Sequence, residues 1–177
     1  MNRLAKKPRL HVCSLDRIDK AVEETGARSL VTLLSHGTPV RRPPAILPER
    51  HLFIAMSDIV DPILGHILPG ERHVRQLLQF VADWDQAEPM LIHCFAGVSR
   101  STAAAFIAAC ALMSPVRSEN EIALAIRVAS PTATPNARLV SVADAILGRS
   151  SRMTRAVAAI GRGESCEVGT PFALEIA

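Results

Sequence analysis

The pattern of hydrophobic and polar positions along the chain alternates between short apolar runs and longer segments of helical period. Three apolar runs, at residues 10–13, 29–34 and 52–56, have the length of buried strands. A fourth run, 89–93, precedes an alanine-rich segment over 101–113, which favours a central helix that is apolar on nearly every side. Apolar residues at helical spacing predict further helices within 16–25, 74–84, 122–129 and 139–146, and a basic helix is expected over 149–160.

Strands that alternate with helices, and then give way to helices alone, predict an α/β fold. We expect three layers, with a central, mostly parallel sheet of four to five strands and helices on both of its faces. The chain of 177 residues suits one domain, here predicted over residues 1–160. Residues 161–177 contain glycines but show no hydrophobic period, and we expect them to form a loosely ordered C-terminal tail.

One short segment contains most of the chemistry that can be identified in the sequence. Residues 93–101 read HCFAGVSRS, so Cys94 and Arg100 are separated by five residues, with Gly97 between them. A loop of this size between a strand and a helix can direct its backbone N–H groups inward, beside the positive end of the helix dipole. Gly97 suits the tight turn, and the planar guanidinium group of Arg100 can bind two phosphate oxygens. The same donors would stabilise a Cys94 thiolate, the form of cysteine that acts as a nucleophile.

This segment resembles the signature of the cysteine-dependent protein tyrosine phosphatase superfamily, His-Cys-x5-Arg-Ser/Thr, whose fixed positions are present as His93, Cys94, Arg100 and Ser101. Gly97 and Ser99 match the form that is usual in the dual-specificity branch, and the chain also resembles small bacterial members. The similarity extends over roughly residues 28–148. Because the chain contains no tyrosine and few other aromatic residues, we expect a shallow pocket and not the deep slot of tyrosine-specific members.

The resemblance implies a role for each residue of the segment. Cys94 would be the nucleophile that forms a phosphocysteine, and Arg100 would stabilise the charge of the transition state. Ser101 would support the departing thiolate, and His93 would brace the loop. The phosphate-binding residues would be Phe95, Ala96, Gly97, Val98, Ser99 and Arg100, which we call the phosphate loop.

The resemblance also implies a general acid and base just after an upstream strand, on a mobile loop. Asp58 directly follows the apolar run 52–56 and fits this place, with Asp61 as the competing candidate. Asp58 could also simply cap the segment after the strand. Asn136, in a Pro-Asn pair, could tie a neighbouring loop to the phosphate loop, although asparagine is also a common start signal of helices.

These features predict a phosphate monoester hydrolase of the protein tyrosine or dual-specificity type, acting on phosphorylated proteins or small phosphoesters. One alternative is a pseudophosphatase module that binds phosphate without turnover, against which the intact Cys94 and Arg100 argue. The other is a relative of sulfurtransferases or arsenate reductases, which also place a cysteine before an anion-binding loop. The complete signature and the upstream aspartate disfavour that second alternative.

Composition and charge narrow the setting of this chemistry. The net charge of +3 suits mild attraction to anions and argues against nucleic-acid binding. The four cysteines follow neither zinc nor disulfide spacing, and a nucleophilic thiol favours a reducing compartment. Residues 2–8 lack the apolar core of a signal peptide, and the helix over 101–113 is too short to span a bilayer. We therefore expect a cytoplasmic location without membrane association, and no metal or cofactor.

Overall fold

A five-stranded sheet forms the centre of the molecule in the computed structural model, which describes residues 7–177. The strands β1 to β5 span Arg9–Ser14, Ser29–Leu34, His51–Ala55, Met90–Cys94 and Phe172–Glu175. Their order in the sheet is β3-β2-β4-β1-β5, so that β4 is central. The first four strands run parallel to one another, and β5 pairs with β1 in the antiparallel sense. The predicted mostly parallel sheet is confirmed.

Helices cover both faces of this sheet, as predicted. The helices α1 to α6 span Ile18–Thr25, Glu71–Ala82, Arg100–Met113, Glu119–Ala129, Ala137–Ile146 and Arg152–Ile160. Helix α1 closes a small apolar cluster on one face, where Ile18 and Val22 pack with Leu30 of β2. The larger core on the opposite face includes apolar side chains of α2 to α6, with α3 against the sheet.

Helix α3 is the buried centre of the larger core. Every residue from Arg100 to Cys110 is buried, and the alanines at 103–105, 108 and 109 allow close approach of neighbouring elements. The helix contacts β1 and β4 on one side and α2, α4 and α5 on the others. A helix that is apolar on nearly all sides is stable only when it is enclosed in this way. Its first turn is therefore held firmly behind the end of β4.

The C-terminal tail differs from the expectation that residues 161–177 are loosely ordered. Strand β5 extends the sheet beyond β1, and Phe172, Leu174 and Ile176 are buried. This alternation is the period of a strand, but it covers too few residues to stand out in the sequence. The tail becomes ordered because β1 offers it an unpaired sheet edge.

A helix must be long and apolar along its length to cross a bilayer. Helix α3 has 14 residues, and no helix within residues 7–177 has the length and apolar character needed to cross a bilayer. The expectation that residues 2–8 lack the apolar core of a signal peptide falls largely on residues 2–6, which lie outside the described part of the chain.

Candidate active site

The signature segment lies at the carboxyl end of the central strand. Cys94 is the last residue of β4, and Arg100 is the first residue of α3. The phosphate loop therefore turns from strand to helix at the edge of the sheet where β1 to β4 all end. Parallel α/β sheets hold their sites at this edge, because the connections that follow the strands surround a crevice there.

The phosphate loop directs its carbonyl groups outward. Three of their oxygens accept hydrogen bonds of 2.8 to 3.0 Å from backbone N–H groups of three other segments: Phe95 from Leu15, Ala96 from Gly169 and Val98 from Thr134. Because a trans peptide places its N–H opposite its C=O, the N–H groups of Ala96, Gly97 and Ser99 face the interior of the loop. Gly97 N–H donates to Cys94 Sγ at 3.3 Å, whereas the other two donate to no atom of residues 7–177. The interior is a set of convergent donors around the thiol.

Gly97 is required by this geometry for two reasons. Its φ is +71°, a region that side chains with a Cβ rarely adopt. A Cβ at this position would lie 2.9 Å from the carbonyl carbon of Cys13 and from the nitrogen of Ser14. The positive φ is that of the tight turn expected at Gly97, and the missing Cβ allows the loop to pack directly on the end of β1.

Arg100 is buried beneath the loop and holds the neighbouring strands together. Its Nη1 donates to the carbonyl of Met56 at 2.9 Å and to Ser35 Oγ at 3.3 Å. Its Nε is buried and has no hydrogen-bond partner within residues 7–177. Leaving a buried donor unpaired costs about 1–3 kcal/mol, and more for a charged group. A free guanidinium N–H beside inward-facing amides indicates a place for an anion.

Ser101 is in contact with the thiol, as the signature implies. Its Oγ lies 3.1 Å from Cys94 Sγ, and both residues are buried. The sulfur thus has a hydroxyl partner in addition to the N–H of Gly97. Phe95, in contrast, is 62% exposed and directs an apolar ring toward solvent at the phosphate loop.

His93 is hydrogen-bonded to the backbone of Cys94 and belongs to a series of hydrogen bonds between neighbouring strands. Its Nδ1 lies 3.2 Å from the carbonyl oxygen of Cys94, which can only accept, so this nitrogen carries the proton. Burial lowers the pKa of His93 to about 4, which leaves Nε2 as an acceptor for the hydroxyl of Thr32 at 2.8 Å. The same hydroxyl oxygen then accepts from Nε2 of His51, also at 2.8 Å. In this series of hydrogen bonds, every donor points toward the Cys94 backbone.

Asp58 is brought to the phosphate loop from the end of β3. Its Oδ1 accepts hydrogen bonds from Ser99 Oγ at 2.7 Å and from Asn136 Nδ2 at 2.9 Å. The Asn136 amide also donates to the carbonyl of Ile59 at 3.3 Å, and its Oδ1 caps α5 by accepting from Leu139 N–H at 3.0 Å. Both hypotheses for Asn136 therefore describe contacts that the side chain makes.

Asp61 lies farther along the same loop. It is exposed and forms no hydrogen bond or ion pair with its side chain within residues 7–177. The base of the loop is closed by Ser57 N–H, which donates to the Ile67 carbonyl at 2.9 Å. The tip beyond it is exposed, with Leu64 fully accessible. Of the two candidates, the structure brings Asp58 to the phosphate loop.

Several residues of the site are absent from the sequence-based prediction. Ser35 follows β2, and the rule that sites form at strand ends could have identified it. Thr32 and His51 carry no comparable signal, because a threonine inside an apolar strand and a histidine at a strand start are common. Their importance follows only from the approach of β2 to β3 and β4.

The remaining three cysteines are Cys13, Cys110 and Cys166. Burial raises the pKa of the Cys13 and Cys110 thiols to about 12, so both stay protonated near neutral pH. Cys166 is exposed, and all four cysteines are free. Among the described residues, no group of three or more His, Cys, Asp or Glu side chains could hold a metal ion.

Comparison with known proteins bears on this geometry. The model of the protein-tyrosine phosphatase family matches residues 66–132, which include the complete signature. No curated protein matches the chain. Among solved structures, the PTP-2 phosphatase of Cydia pomonella is similar with a TM-score of 0.59 and 18% identity, covering 77% of this chain and 84% of that one.

Two human structures are similar as well. DUSP28 has a TM-score of 0.58 and 19% identity, over 79% of this chain and 94% of that one. The tyrosine phosphatase-like serine/threonine/tyrosine-interacting protein has a TM-score of 0.60 and 13% identity, over 80% and 92%. At these identities the likeness shows a shared fold. The protein-tyrosine phosphatase family model matches the part of the chain that contains the complete signature, so the chain is similar to that family in this segment and shares the fold of these phosphatases.

Proposed function

We propose that the protein hydrolyses phosphate monoesters in two displacements that pass through a phosphocysteine. One observation carries this proposal: Cys94 Sγ lies among inward-facing amides, above a buried arginine whose Nε has no partner within residues 7–177. A phosphoryl group in the loop would take up these donors. Its charge spreads over three equatorial oxygens in the transition state, and preorganised donors stabilise that charge without further rearrangement.

In the first displacement, Cys94 Sγ attacks phosphorus and the ester P–O bond breaks. Asp58, protonated at this stage, donates its proton to the oxygen that leaves. Its Oδ1 is held by Ser99 and Asn136, so Oδ2 is the oxygen available to the substrate. This proton matters most for an alkyl ester, because an alkoxide leaves less easily than a phenolate.

In the second displacement, water attacks the phosphorus and the P–S bond breaks. The Asp58 carboxylate now accepts a proton from the water, which returns the acid to its starting state. Ser101 Oγ, 3.1 Å from the sulfur, donates a hydrogen bond to the thiolate as it leaves. The N–H of Gly97 stabilises the same charge. Phosphate is released and the thiolate is regenerated.

The substrates are phosphorylated proteins or small phosphoesters. The side chains of Phe95, Ala96 and Val98 add no charge to the phosphate loop, which suits singly phosphorylated groups better than highly anionic ones. A thiolate nucleophile requires a reducing environment, and four free cysteines agree with it, so we place the protein in the cytoplasm.

The test is hydrolysis of an aryl phosphate by the wild type and by Cys94→Ser. We expect the substitution to lower kcat by about 10⁴-fold or more, as loss of a nucleophile does. Cys110→Ala is the matched control, because that thiol is buried in α3 away from the loop. Acid quenching of the wild type during turnover should give phosphorylated protein, with phosphate on Cys94.

Three results would contradict the proposal. Wild-type rates in Cys94→Ser would remove the nucleophile. Tight binding of phosphate without any turnover by the wild type would favour the pseudophosphatase alternative, and turnover of thiosulfate or arsenate alone would favour the other one.

A further inference from the structure

A groove of about 540 Å³ opens beside the phosphate loop, on the side of the C-terminal tail. It is lined by Asp58, Val98 and Ser99, which belong to the candidate active site or touch it. Its other lining includes the end of α6 and tail residues such as Arg162 and Cys166. We call it the tail groove. Its volume exceeds what a phosphate and one ester group need, and falls within the range of binding sites for whole ligands.

The tail wall of this groove is held in place by backbone hydrogen bonds. Arg127 clamps its beginning, donating to the carbonyls of Pro131 at 2.6 Å and Gly161 at 2.8 Å. Next along the tail, Gly163 N–H donates to the Thr134 hydroxyl at 3.0 Å, and Glu164 N–H donates to the Pro131 carbonyl at 3.0 Å. The wall is built into the fold, so a ligand would meet a preformed surface.

Two glycines allow the tail to come this close. A Cβ on Gly163 would lie 2.6 Å from the carbonyl carbon and oxygen of Thr132, and a Cβ on Gly169 would lie 2.7 Å from Gly97 O. At Gly169 the tail backbone therefore packs directly on the outside of the phosphate loop, and at Gly163 it packs on Thr132, in the segment before α5. This packing joins the tail groove to the reacting centre.

We propose that the tail groove binds the peptide segment that flanks the phosphorylated residue of a protein substrate, and that Arg162 selects an anionic side chain in that segment. The inference rests on the proposed function, because Asp58 must donate to the ester oxygen. The organic part of the substrate then extends from Asp58, and the groove that Asp58 lines is open to it. A small aryl phosphate would leave the groove unused.

Charge supports the choice of an anionic partner. Arg162 is exposed and forms no ion pair within residues 7–177, unlike Arg149 and Arg152, which both bind Glu119. Asp58 and Glu164 also line the groove, so among the described residues Arg162 is the single basic side chain there, beside two carboxylates, and is the place where an anionic side chain would be bound. Preference for an acidic flank should therefore be moderate and specific to the residue that reaches Arg162.

The experiment compares short phosphotyrosine peptides that differ only in carrying Glu or Gln beside the phosphotyrosine, on either flank. For the wild type we expect kcat/KM to be about threefold to fivefold higher with Glu on one flank, the size of an exposed ion pair. Arg162→Gln should bring this ratio to about one, and Arg162→Lys should keep part of it. Arg155→Gln is the matched control, since this exposed arginine of α6 lies outside the groove.

A second variant tests the space in the groove and leaves its charged residues unchanged. Cys166→Trp places a large side chain in the groove and should raise KM for every peptide, whichever residue flanks the phosphotyrosine. The inference is overturned if Arg162→Gln keeps the Glu to Gln ratio, if the wild type has no such ratio, or if Cys166→Trp leaves KM unchanged. Thermal unfolding of each variant shows whether it is folded.

Failure of the proposed function gives a different pattern. If the wild type hydrolyses neither aryl phosphate nor peptides, or if Cys94→Ser keeps the rate, the chemistry itself is refuted. If the wild type hydrolyses aryl phosphate but no peptide, only the inference about the groove falls.

Discussion

The phosphate loop and the C-terminal tail are in contact, and they differ in the features by which each could be recognised in the sequence. The loop is defined by side chains with strong chemistry, Cys94 and Arg100, at a fixed spacing. The tail is defined by backbone contacts, such as the 2.8 Å hydrogen bond from Gly169 N–H to Ala96 O. A reactive side chain can be recognised in a sequence, whereas a backbone N–H looks the same in every residue.

The glycines make the same contrast. Gly97 stands inside a signature, so its positive φ was foreseeable. Gly169 lies in a segment that shows no hydrophobic period. Glycine is required there because a Cβ would collide with Gly97 O, which belongs to the phosphate loop. Gly97 allows the phosphate loop to pack on the end of β1, and Gly169 allows the tail to pack on the phosphate loop. Four experiments test how the loop and its surroundings differ.

Arg100→Lys should have the largest effect. Lysine carries the charge but lacks the planar fork that reaches the carbonyl of Met56 and Ser35 Oγ while leaving Nε free. We expect kcat to fall by about 10²- to 10³-fold, the cost of losing a preorganised transition-state donor. Steady-state kinetics with an aryl phosphate measures it, with Arg155→Lys as control. A decrease in kcat of less than about tenfold would show that the planar guanidinium group is dispensable.

Asp58→Asn should come next, and its effect should depend on the leaving group. We expect a loss of about 10²-fold with an alkyl phosphate, in line with general acid catalysis, and a smaller loss with an aryl phosphate. Asp61→Asn is the matched control and should stay within about twofold, the level expected of a carboxylate that takes no part in proton transfer. The reverse ranking of the two variants would identify Asp61 as the acid.

Gly169→Ala compared with Gly163→Ala separates the two sides of the tail contact. Both introduce a Cβ into backbone, at 2.7 Å from Gly97 O and at 2.6 Å from Thr132 O respectively. Only the first displaces the phosphate loop, so we expect kcat to fall by about tenfold in Gly169→Ala, because small shifts of reacting groups are costly. Gly163→Ala should lower the melting temperature and keep most of kcat. Equal kcat values would show that the tail does not position the loop.

The last prediction concerns the stability of the fold and its dependence on pH, and not the rate of catalysis. The pKa of His93 is lowered to about 4 from 6.5 by burial, so the unfolded chain binds the extra proton in this interval. Stability conferred by neutral His93 is therefore complete above pH 6.5 and is lost as the pH falls toward 4, by at most roughly 3 kcal/mol. Urea unfolding at several pH values measures this loss. His93→Gln should show a shallower dependence, and an equally steep one would assign the loss to other groups.

Much of the fold could be predicted because its core elements are locally coded. The strand Ser29–Leu34 has the predicted bounds, and α3 begins one residue before the predicted segment. The alanines of α3 favour a helix on their own, and its lack of a polar face already implied enclosure. Strand β5 could not be predicted, since four residues with one alternation match many segments.

The residues of the site that are neighbours in the chain could be predicted from the sequence, and those that come from distant segments could not. Asp58 and Asp61 stand three residues apart in an irregular loop, and no local pattern distinguishes them. The contact from Ser99 Oγ to Asp58 at 2.7 Å does so, across 41 residues of sequence. Thr32 likewise looks like an ordinary strand residue until β4 brings His93 beside it.

The sequence is sufficient to predict the chemistry of the site, because a strand, the segment 93–101 and a helix bring Cys94, the loop amides and Arg100 around one volume by local geometry. Which aspartate approaches that volume, and which segment borders it, follows from the packing of the fold. Asp58 and the tail reach the loop through hydrogen bonds between segments far apart in the chain. Such contacts depend on how the sheet edges and loops pack, and packing is a property of the whole fold.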